Sequence, residues 1–350
     1  MIRVLIGDDS STVRFLLTKI LSADPEIEIV GKARNGREVV ELAQILRPDL
    51  ITMDIRMPVM NGFEATKEIM SNTPCPILVV SSSVNDEDLN IAFNAIHYGA
   101  LDIIEKPSST LDSEFEKVGQ HIIKKIKVLS GVKVLTRRFN KYDRVISDNQ
   151  AKITKTHISH IPKIKVIGIV SSTGGPVVLK SILSKLPKNF PIPICIVQHI
   201  AHGFGKGLVD WLSESCALDV KFGEHREFLK GGTIYIAKDD YHMEVTEHGY
   251  LNMHQEDTRY GLRPCGDIML SSMGHNIREK SVGIILTGMG SDGAYGMQII
   301  DHEGGMTIAQ DEASCLVYGM PKEAVNGGCI RRQMNPDQIV QYLLTLVEPN

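Results

Sequence analysis

The six cysteines never stand in a C-x-x-C spacing, which argues against both a zinc site and a disulfide framework. Cys75, Cys195, Cys216, Cys265, Cys315 and Cys329 are scattered along the chain and are expected to be reduced and structural, as in a cytoplasmic protein. No apolar run approaches the roughly 20 residues that cross a bilayer, so no membrane insertion is expected. The start, Met1-Ile2-Arg3-Val4-Leu5-Ile6, has neither a basic-then-apolar leader nor a small-residue cleavage pattern, and secretion is not expected. A net charge of −4 gives no reason to look for a nucleic-acid partner. Nor does any helix-turn-helix signal or basic recognition helix follow residue 160, as a transcriptional regulator would need.

What remains is a soluble globular composition, 43% apolar and 23% charged over 350 residues, long enough for two domains. In the first third, strand-like runs at 3–7, 27–33, 50–54, 77–81 and 103–106 alternate with helical periods at 11–21, 36–45 and 89–98. A long helical segment then ends near Gly131. That alternation predicts a parallel sheet with helices on both faces, with the strand ends gathered on one ligand-binding edge. The strand ends carry Asp8 and Asp9, then Asp54, then Ser81 and Ser82, then Lys106 followed by Pro107. Converging carboxylates repel one another and call for a divalent cation, typically Mg²⁺ where a phosphate is involved. The lysine supplies a point charge for phosphoryl oxygens. Taken singly, Asp9 reads as a cap on the first helix and Asp54 as a loop residue.

Residues 131–165 carry nine Lys/Arg against two Asp and no apolar face of regular period, which predicts a solvated tether. Beyond it the strand–helix alternation resumes. Strands are expected at 192–197, interrupted at Pro193, and at 282–286 and 306–310. A β-hairpin region is expected over 233–255, a helix over 264–280 with Pro264 in its first turn, and a terminal helix over 336–347. At the centre stands the apolar run 166–170, which ends in Ser171-Ser172-Thr173-Gly174-Gly175-Pro176. A strand that stops in such a turn presents a side chain beside the N–H groups of a helix start. This suits a serine nucleophile beside an oxyanion site and equally suits a phosphate-binding turn. The stretch itself lacks both G-x-G-x-x-G and a P-loop lysine. His199 follows the strand at 192–197, and Asp292 lies in Thr287-Gly288-Met289-Gly290-Ser291-Asp292-Gly293 after the strand at 282–286. Hydroxyl, imidazole and carboxylate at three strand ends are what acyl transfer requires. The order Ser–His–Asp and the absence of a G-x-S-x-G elbow set it apart from α/β-hydrolases. One residue of phase leaves Ser171 and Ser172 as rivals.

Two resemblances extend this reading. Asp8-Asp9-Ser10, Met53-Asp54-Ile55-Arg56-Met57-Pro58 with Asn61-Gly62, Ser81-Ser82 and Lys106-Pro107 resemble a two-component receiver domain. Ser172-Thr173-Gly174-Gly175, Gln198-His199, the Thr287–Gly293 turn and Gln310-Asp311-Glu312 with Tyr318-Gly319-Met320-Pro321 are similar to the chemotaxis protein-glutamate methylesterases, the CheB family. The resemblance implies a flavodoxin-like receiver with a five-stranded parallel sheet over 1–125, a linker over 126–162, and a doubly wound, mainly parallel α/β methylesterase domain over 163–350. It implies Asp54 as phospho-acceptor, Mg²⁺ held by Asp8, Asp9, Asp54 and the Arg56 carbonyl, and Ser81 and Lys106 as sensors of the phosphoryl group. Ser172 would be the nucleophile, His199 the general base and Asp292 the orienting acid. Thr173 and Met289 N–H groups are our choice for the oxyanion hole. No cofactor is implied for the ester reaction. The implied partners are methyl-accepting chemotaxis receptors as substrate and a histidine kinase as phosphodonor. The implied activity is hydrolysis of γ-glutamyl methyl esters and deamidation of glutamines, activated by phosphorylation; the alternative is a receiver fused to a nucleotide- or phosphate-binding module without esterase activity. The sequence departs from the family pattern at Gly7, Ile103, Ser171, Cys265 and Lys238-Asp239-Asp240.

Overall fold

Strand β1 (Ile2–Gly7) lies inside its sheet, with Val4, Leu5 and Ile6 fully buried. Unbroken apolar runs of this kind belong to parallel strands covered on both faces, where each buried aliphatic side chain contributes about 1.5–3 kcal/mol. The computed structural model describes residues 1–82, 86–107, 112–134 and 164–347. The chain divides into two compact units, within Met1–Thr156 and His157–Asn350. From residue 135 to 163 the expected tether lies outside the described residues.

In the first unit the order is β1, α1 (Ser11–Leu21), β2 (Ile27–Ala33), α2 (Gly36–Leu46), β3 (Leu50–Met53), α3 (Gly62–Asn72), β4 (Ile77–Ser81), α4 (Asp86–His97), β5 (Asp102–Glu105) and α5 (Asp112–Leu129). The strands pair in parallel in the order β2-β1-β3-β4-β5. The chain leaves β1 to one side for β2 and returns to the other for β3, and ligands bind at such a reversal, beyond the strands' carboxyl ends. Asp8 follows β1 and Asp54 follows β3. Helix α1 is capped by Ser10, whose hydroxyl accepts from the Val13 N–H, so the single-residue reading of Asp9 as the cap fails. Asn61 closes a capping box with Glu64 at the start of α3. Helix α5 runs into the first residues of the linker expected over 126–162, and Ile126 and Leu129 are fully buried.

The second unit runs β6 (Val166–Ser171), α6 (Gly175–Leu183), β7 (Ile194–Gln198), α7 (Gly205–Ser213), β8 (Asp219–Phe222), β9 (Thr233–Ile236), β10 (His242–Val245), β11 (Leu251–His254), α8 (Gly266–Ile277), β12 (Ser281–Ile285), α9 (Ala294–His302), β13 (Met306–Gln310), α10 (Met320–Asn326), β14 (Arg332–Met334) and α11 (Pro336–Thr345). Seven strands form one sheet in the order β14-β13-β12-β6-β7-β9-β8, and every pair in it is parallel. The hairpin expected over 233–255 resolves differently. Only β10 and β11 pair as an antiparallel ribbon, while β9 joins the main sheet. Strand β7 begins after Pro193, which has no N–H to give the ladder. Pro264 does not lie in the first turn of α8, because Cys265 is the extended N-cap residue (φ −120°) and Pro264 precedes it. The helix stops at Ile277, and a 3₁₀ turn at Arg278–Lys280 completes the segment. Helices α7 and α10 and the short edge strands β8 and β14 were not among the elements expected from the sequence. Among the described residues, no helix is long and apolar enough to cross a membrane.

Candidate active site

Strands β12, β6 and β7 are adjacent at the centre of the seven-stranded sheet, and their carboxyl ends lead into Asp292, Ser172 and His199. The chain leaves β6 to one side for β7 and later returns to the other for β12, so the three residues collect where the strand order reverses. Ser171 is the last residue of β6. It is fully buried, and its hydroxyl donates to Gln198 Oε1 at 2.6 Å. Ser172, next in the chain, has no hydrogen bond to its hydroxyl among the described residues. The open choice between the two serines is thus narrowed by geometry: one hydroxyl is spent on packing and the other is uncommitted.

The turn after Ser172 is tight. Gly174, at φ 78°, caps α6 in the left-handed region, and a Cβ there would lie 2.8 Å from Leu316 Cβ. Glycine alone tolerates both demands. Thr173 is buried, and its carbonyl accepts from Thr287 Oγ1 at 3.0 Å. Thr287 also draws in Val317, whose N–H donates to the same hydroxyl at 2.9 Å. Gly288 gives its N–H to Val317 O at 3.0 Å, whereas the Met289 N–H has no acceptor among the described residues. Backbone from the β6 turn and the β12 turn is therefore cross-tied beside Ser172.

His199 Nε2 lies 2.8 Å from Asp292 Oδ2, with the His side chain 13% and the Asp side chain 3% exposed. The approach is short but off the ideal hydrogen-bond line, as is common before a substrate tightens such a pair. Asp292 is held from its other side by the start of α8. Gly266 N–H donates to Oδ2 at 2.6 Å, Asp267 N–H to Oδ1 at 2.9 Å, and the Cys265 thiol to Oδ1 at 2.9 Å. Burial works against the charged carboxylate. The His199 contact and charge, the thiol and the Asp267 N–H outweigh it, and Asp292 is pulled down to about 2. Conversely, burial and the Asp292 charge push the Cys265 thiol far up, so it acts as a donor and not as a thiolate.

Gln198, missed as a functional residue in the sequence, is central. Its Nε2 donates to Ser172 O at 2.9 Å and His199 O at 2.8 Å, while its Oε1 accepts from Ser171. One buried amide thus fixes the main chain of both strand ends. Gln310 does the same on the far side, accepting from Thr287 N–H at 2.8 Å and donating to Ser314 O at 2.8 Å. Both glutamines stand at strand ends and in the motifs that carry the family resemblance, but residue type alone gives neither of them this role. The segment Gly288–Gly293 has G-x-G-x-x-G spacing, which taken alone is a dinucleotide signal. A buried, ionised Asp292 inside that turn is unfavourable to a phosphate.

In the first unit, single oxygens of Asp8, Asp9 and Asp54 lie within 4.8 Å of one another. Lys106 Nζ lies 3.0 Å from Asp8 Oδ2 and 2.7 Å from Asp54 Oδ2. Burial and the neighbouring Asp8 charge raise Asp54 to about 6, against the pull of Lys106. Asp8 is raised as well, again chiefly by burial. One ammonium does not neutralise three carboxylates, and the crowded oxygens suit a hard divalent cation. Ser81 ends β4, buried, with its hydroxyl donating only a long 3.4 Å bond to Ser82 O. Arg56 sits in the β3–α3 loop, its N–H donating to Asp54 Oδ1 at 3.4 Å.

Comparison with known proteins covers both units. The family model for the CheB methylesterase matches residues 167–343, and that for the response regulator receiver domain matches residues 4–113. The protein-glutamate methylesterase/protein-glutamine glutaminase 1 of Syntrophus aciditrophicus is 40% identical over 99% of this chain and 98% of its own length. A Methanospirillum hungatei relative of the same description is 39% identical over 99% of both chains. The crystal structure of the Thermotoga maritima CheB methylesterase catalytic domain is 37% identical, covers 53% of this chain and 99% of its own, and superposes with a TM-score of 0.51. With matches of that extent on both halves, the chain belongs to the CheB methylesterase family, with a response-regulator receiver domain ahead of the catalytic one.

Proposed function

We propose that this chain is a protein-glutamate methylesterase and protein-glutamine glutaminase, that Ser172, His199 and Asp292 perform the hydrolysis, and that phosphorylation of Asp54 controls its rate. The observation that carries the reading is the 2.8 Å His199–Asp292 contact at the sheet's reversal, one strand end away from an uncommitted serine hydroxyl. Nε2 is engaged with the carboxylate, so Nδ1 is the ring nitrogen left to take the Ser172 proton. Ser172 Oγ attacks the γ-carbonyl of the ester, and the N–H groups of Thr173 and Met289 receive the developing oxyanion. Protonated His199 then gives its proton to the leaving methanol, or to ammonia from a glutamine. Water, deprotonated by the same imidazole, frees the glutamate and restores the serine.

In the receiver, Asp8, Asp9, Asp54 and the Arg56 carbonyl would hold Mg²⁺, which would offset phosphoryl charge when bound. Asp54 is the acceptor, and Ser81 and Lys106 contact the transferred group. The substrate is a methylated chemotaxis receptor, the phosphodonor is a histidine kinase, and the setting is the cytoplasm. The proposed domain limits are 1–125, 126–162 and 163–350, with the last turn of α5 carrying the receiver a few residues into the linker. Methanol release from methylated receptor tests the reading. Ser172→Ala abolishes it to within a few orders of magnitude of the uncatalysed rate, and Asp54→Ala removes only the response to phosphodonor. Full activity in Ser172→Ala would refute it. A serine-directed organophosphorus probe that still labels Ser172 in His199→Ala would count against the imidazole as base.

A further inference from the structure

Beside the catalytic acid, the loop 255–264 carries a feature the reaction does not use. Tyr260 and Gly261 form the centre of a two-residue turn, with φ 56° and 73°. The turn is closed by Leu262 N–H to Arg259 O at 2.9 Å and Arg259 N–H to Leu262 O at 3.3 Å. A bulky side chain rarely adopts left-handed backbone, and such outliers gather at functional surfaces. Here the strain holds a tyrosine out in solvent: Tyr260 is 62% exposed, and nearby Tyr295 is 45% exposed. Between them lies the Arg259 guanidinium, 5.4 Å from the Tyr260 ring centre and 4.9 Å from that of Tyr295. Arg263 braces the same loop by donating to Gln255 O at 3.2 Å and Glu256 O at 2.9 Å.

This cluster is tied to the catalytic centre. Arg259 Nε lies 4.0 Å from Asp267 Oδ2, and the Asp267 N–H donates to Asp292 Oδ1 at 2.9 Å. Asp267 Oδ1 accepts from Gly296 N–H, the residue after Tyr295, at 2.9 Å. The Asp267 contact is too long for a bidentate pair, and Tyr260, the other side-chain hydrogen-bond partner of the guanidinium, is itself exposed, so part of the fork stays open to a ligand. Arginine flanked by tyrosines is the composition of an interface anchor, and a ring-stacked guanidinium keeps its donor edge for a carboxylate.

We propose that Arg259, Tyr260 and Tyr295 form a docking surface for the substrate polypeptide and recognise carboxylates one or two helical turns from the scissile ester. The proposal rests on the esterase reading above. It follows from the chemistry of the product, because each hydrolysis leaves a glutamate. A segment with several sites therefore gathers negative charge beside its remaining esters.

The test uses two helical peptides, each with one glutamyl methyl ester, flanked at three and four residues on either side by glutamate in one and alanine in the other. Methanol release is followed with the full-length chain in the presence of a small phosphodonor and Mg²⁺, and the ratio of the two kcat/KM values is read. The wild type favours the acidic peptide about two- to fivefold at low salt, and the ratio falls toward one as salt screens the contact. Arg259→Gln brings the ratio near one, and Arg259→Glu brings it below one. A wild-type ratio of one, or a ratio unchanged in both variants, overturns the proposal. So does a change confined to the degree of activation by phosphodonor, which would assign the cluster to regulation. No methanol from either peptide with the wild type would overturn the esterase reading, and this inference with it.

Discussion

Replacing Asp292 by asparagine should flatten the acid limb of the catalytic unit's stability. Four groups hold the carboxylate: His199 Nε2, the Cys265 thiol, and the N–H groups of Gly266 and Asp267. Against burial, the imidazole, the thiol and the Asp267 N–H pull it from 3.8 to about 2. The folded-state pKa is depressed, so the unfolded chain binds the proton more readily below pH 4. The stabilisation is fully present above the unfolded value and is lost as pH falls through the folded one. A displacement of that size corresponds to about 2 kcal/mol, of which more than half disappears between about pH 5.5 and 2.5. Asp267 lowers the net figure. Its own pKa is raised by burial and, less strongly, by the Asp292 charge, so it favours the fold at low pH, and less so once Asp292 is neutral.

The full-length chain reports this without being cut. Its one tryptophan, Trp211, lies buried in α7 of the catalytic unit, so denaturant titrations followed by tryptophan fluorescence read that unit. The quantity of interest is the wild-type loss of unfolding free energy between the two pH values minus the loss in Asp292→Asn. A difference of about 1 kcal/mol is expected. Parallel pH profiles would show that the four donors do not stabilise the ionised form, and the account of how Asp292 is fixed would be wrong. The same variant should lose about 10³–10⁴ in kcat, because an amide no longer steadies the imidazolium.

Three further predictions follow from other contacts. Gln198→Leu strands the Ser171 hydroxyl and the Ser172 and His199 carbonyls, and should cost about 2–4 kcal/mol by the same fluorescence assay, with a lower kcat. Cys265→Ser keeps a donor on Asp292 and should hold kcat/KM within a few-fold of wild type, whereas Cys265→Ala should fall below Cys265→Ser and shift the acid limb of the pH–rate profile; equal profiles for the two would dismiss the thiol contact. Because burial and Asp8 raise Asp54 to about 6, Asp54 gains a proton as pH drops through that value; Mg²⁺ affinity should fall about tenfold per pH unit below it, measured by titration calorimetry, and EDTA should block phosphorylation.

The strand ends were legible in the sequence because a parallel sheet turns chain order into position. Each apolar run ends on one edge, so Asp8, Asp54 and Lys106, and likewise Ser172, His199 and Asp292, could be named from where the runs stop. What lay between the strands was not legible. Cys265, on another element, meets Asp292 across 27 positions of sequence, and no local period encodes such a contact. The start of α8 was misplaced because Pro264 fits a helix's first turn on residue type alone, while the extended Cys265 is set by the thiol's reach to Asp292. Ser171 and Ser172 could not be separated from composition, since both hydroxyls follow the same apolar run. Their difference is Gln198, which holds one of them.

The two buried aspartates at the two reversals carry the comparison further. Asp54 is 2% and Asp292 4% exposed, so desolvation raises both, yet one rises to about 6 and the other falls to about 2. The sign is decided by what faces the oxygens. Asp54 meets one lysine and a second carboxylate, and its crowded negative charge is relieved by anything that brings positive charge or a proton, a divalent cation included. Asp292 meets an imidazole, two main-chain N–H groups at a helix start and a thiol, all of them donors and none of them anionic. It stays charged throughout the working pH range and can steady a cation that appears only during turnover. Equal burial at equivalent places in two parallel sheets thus yields a group poised to change state and a group held in one state.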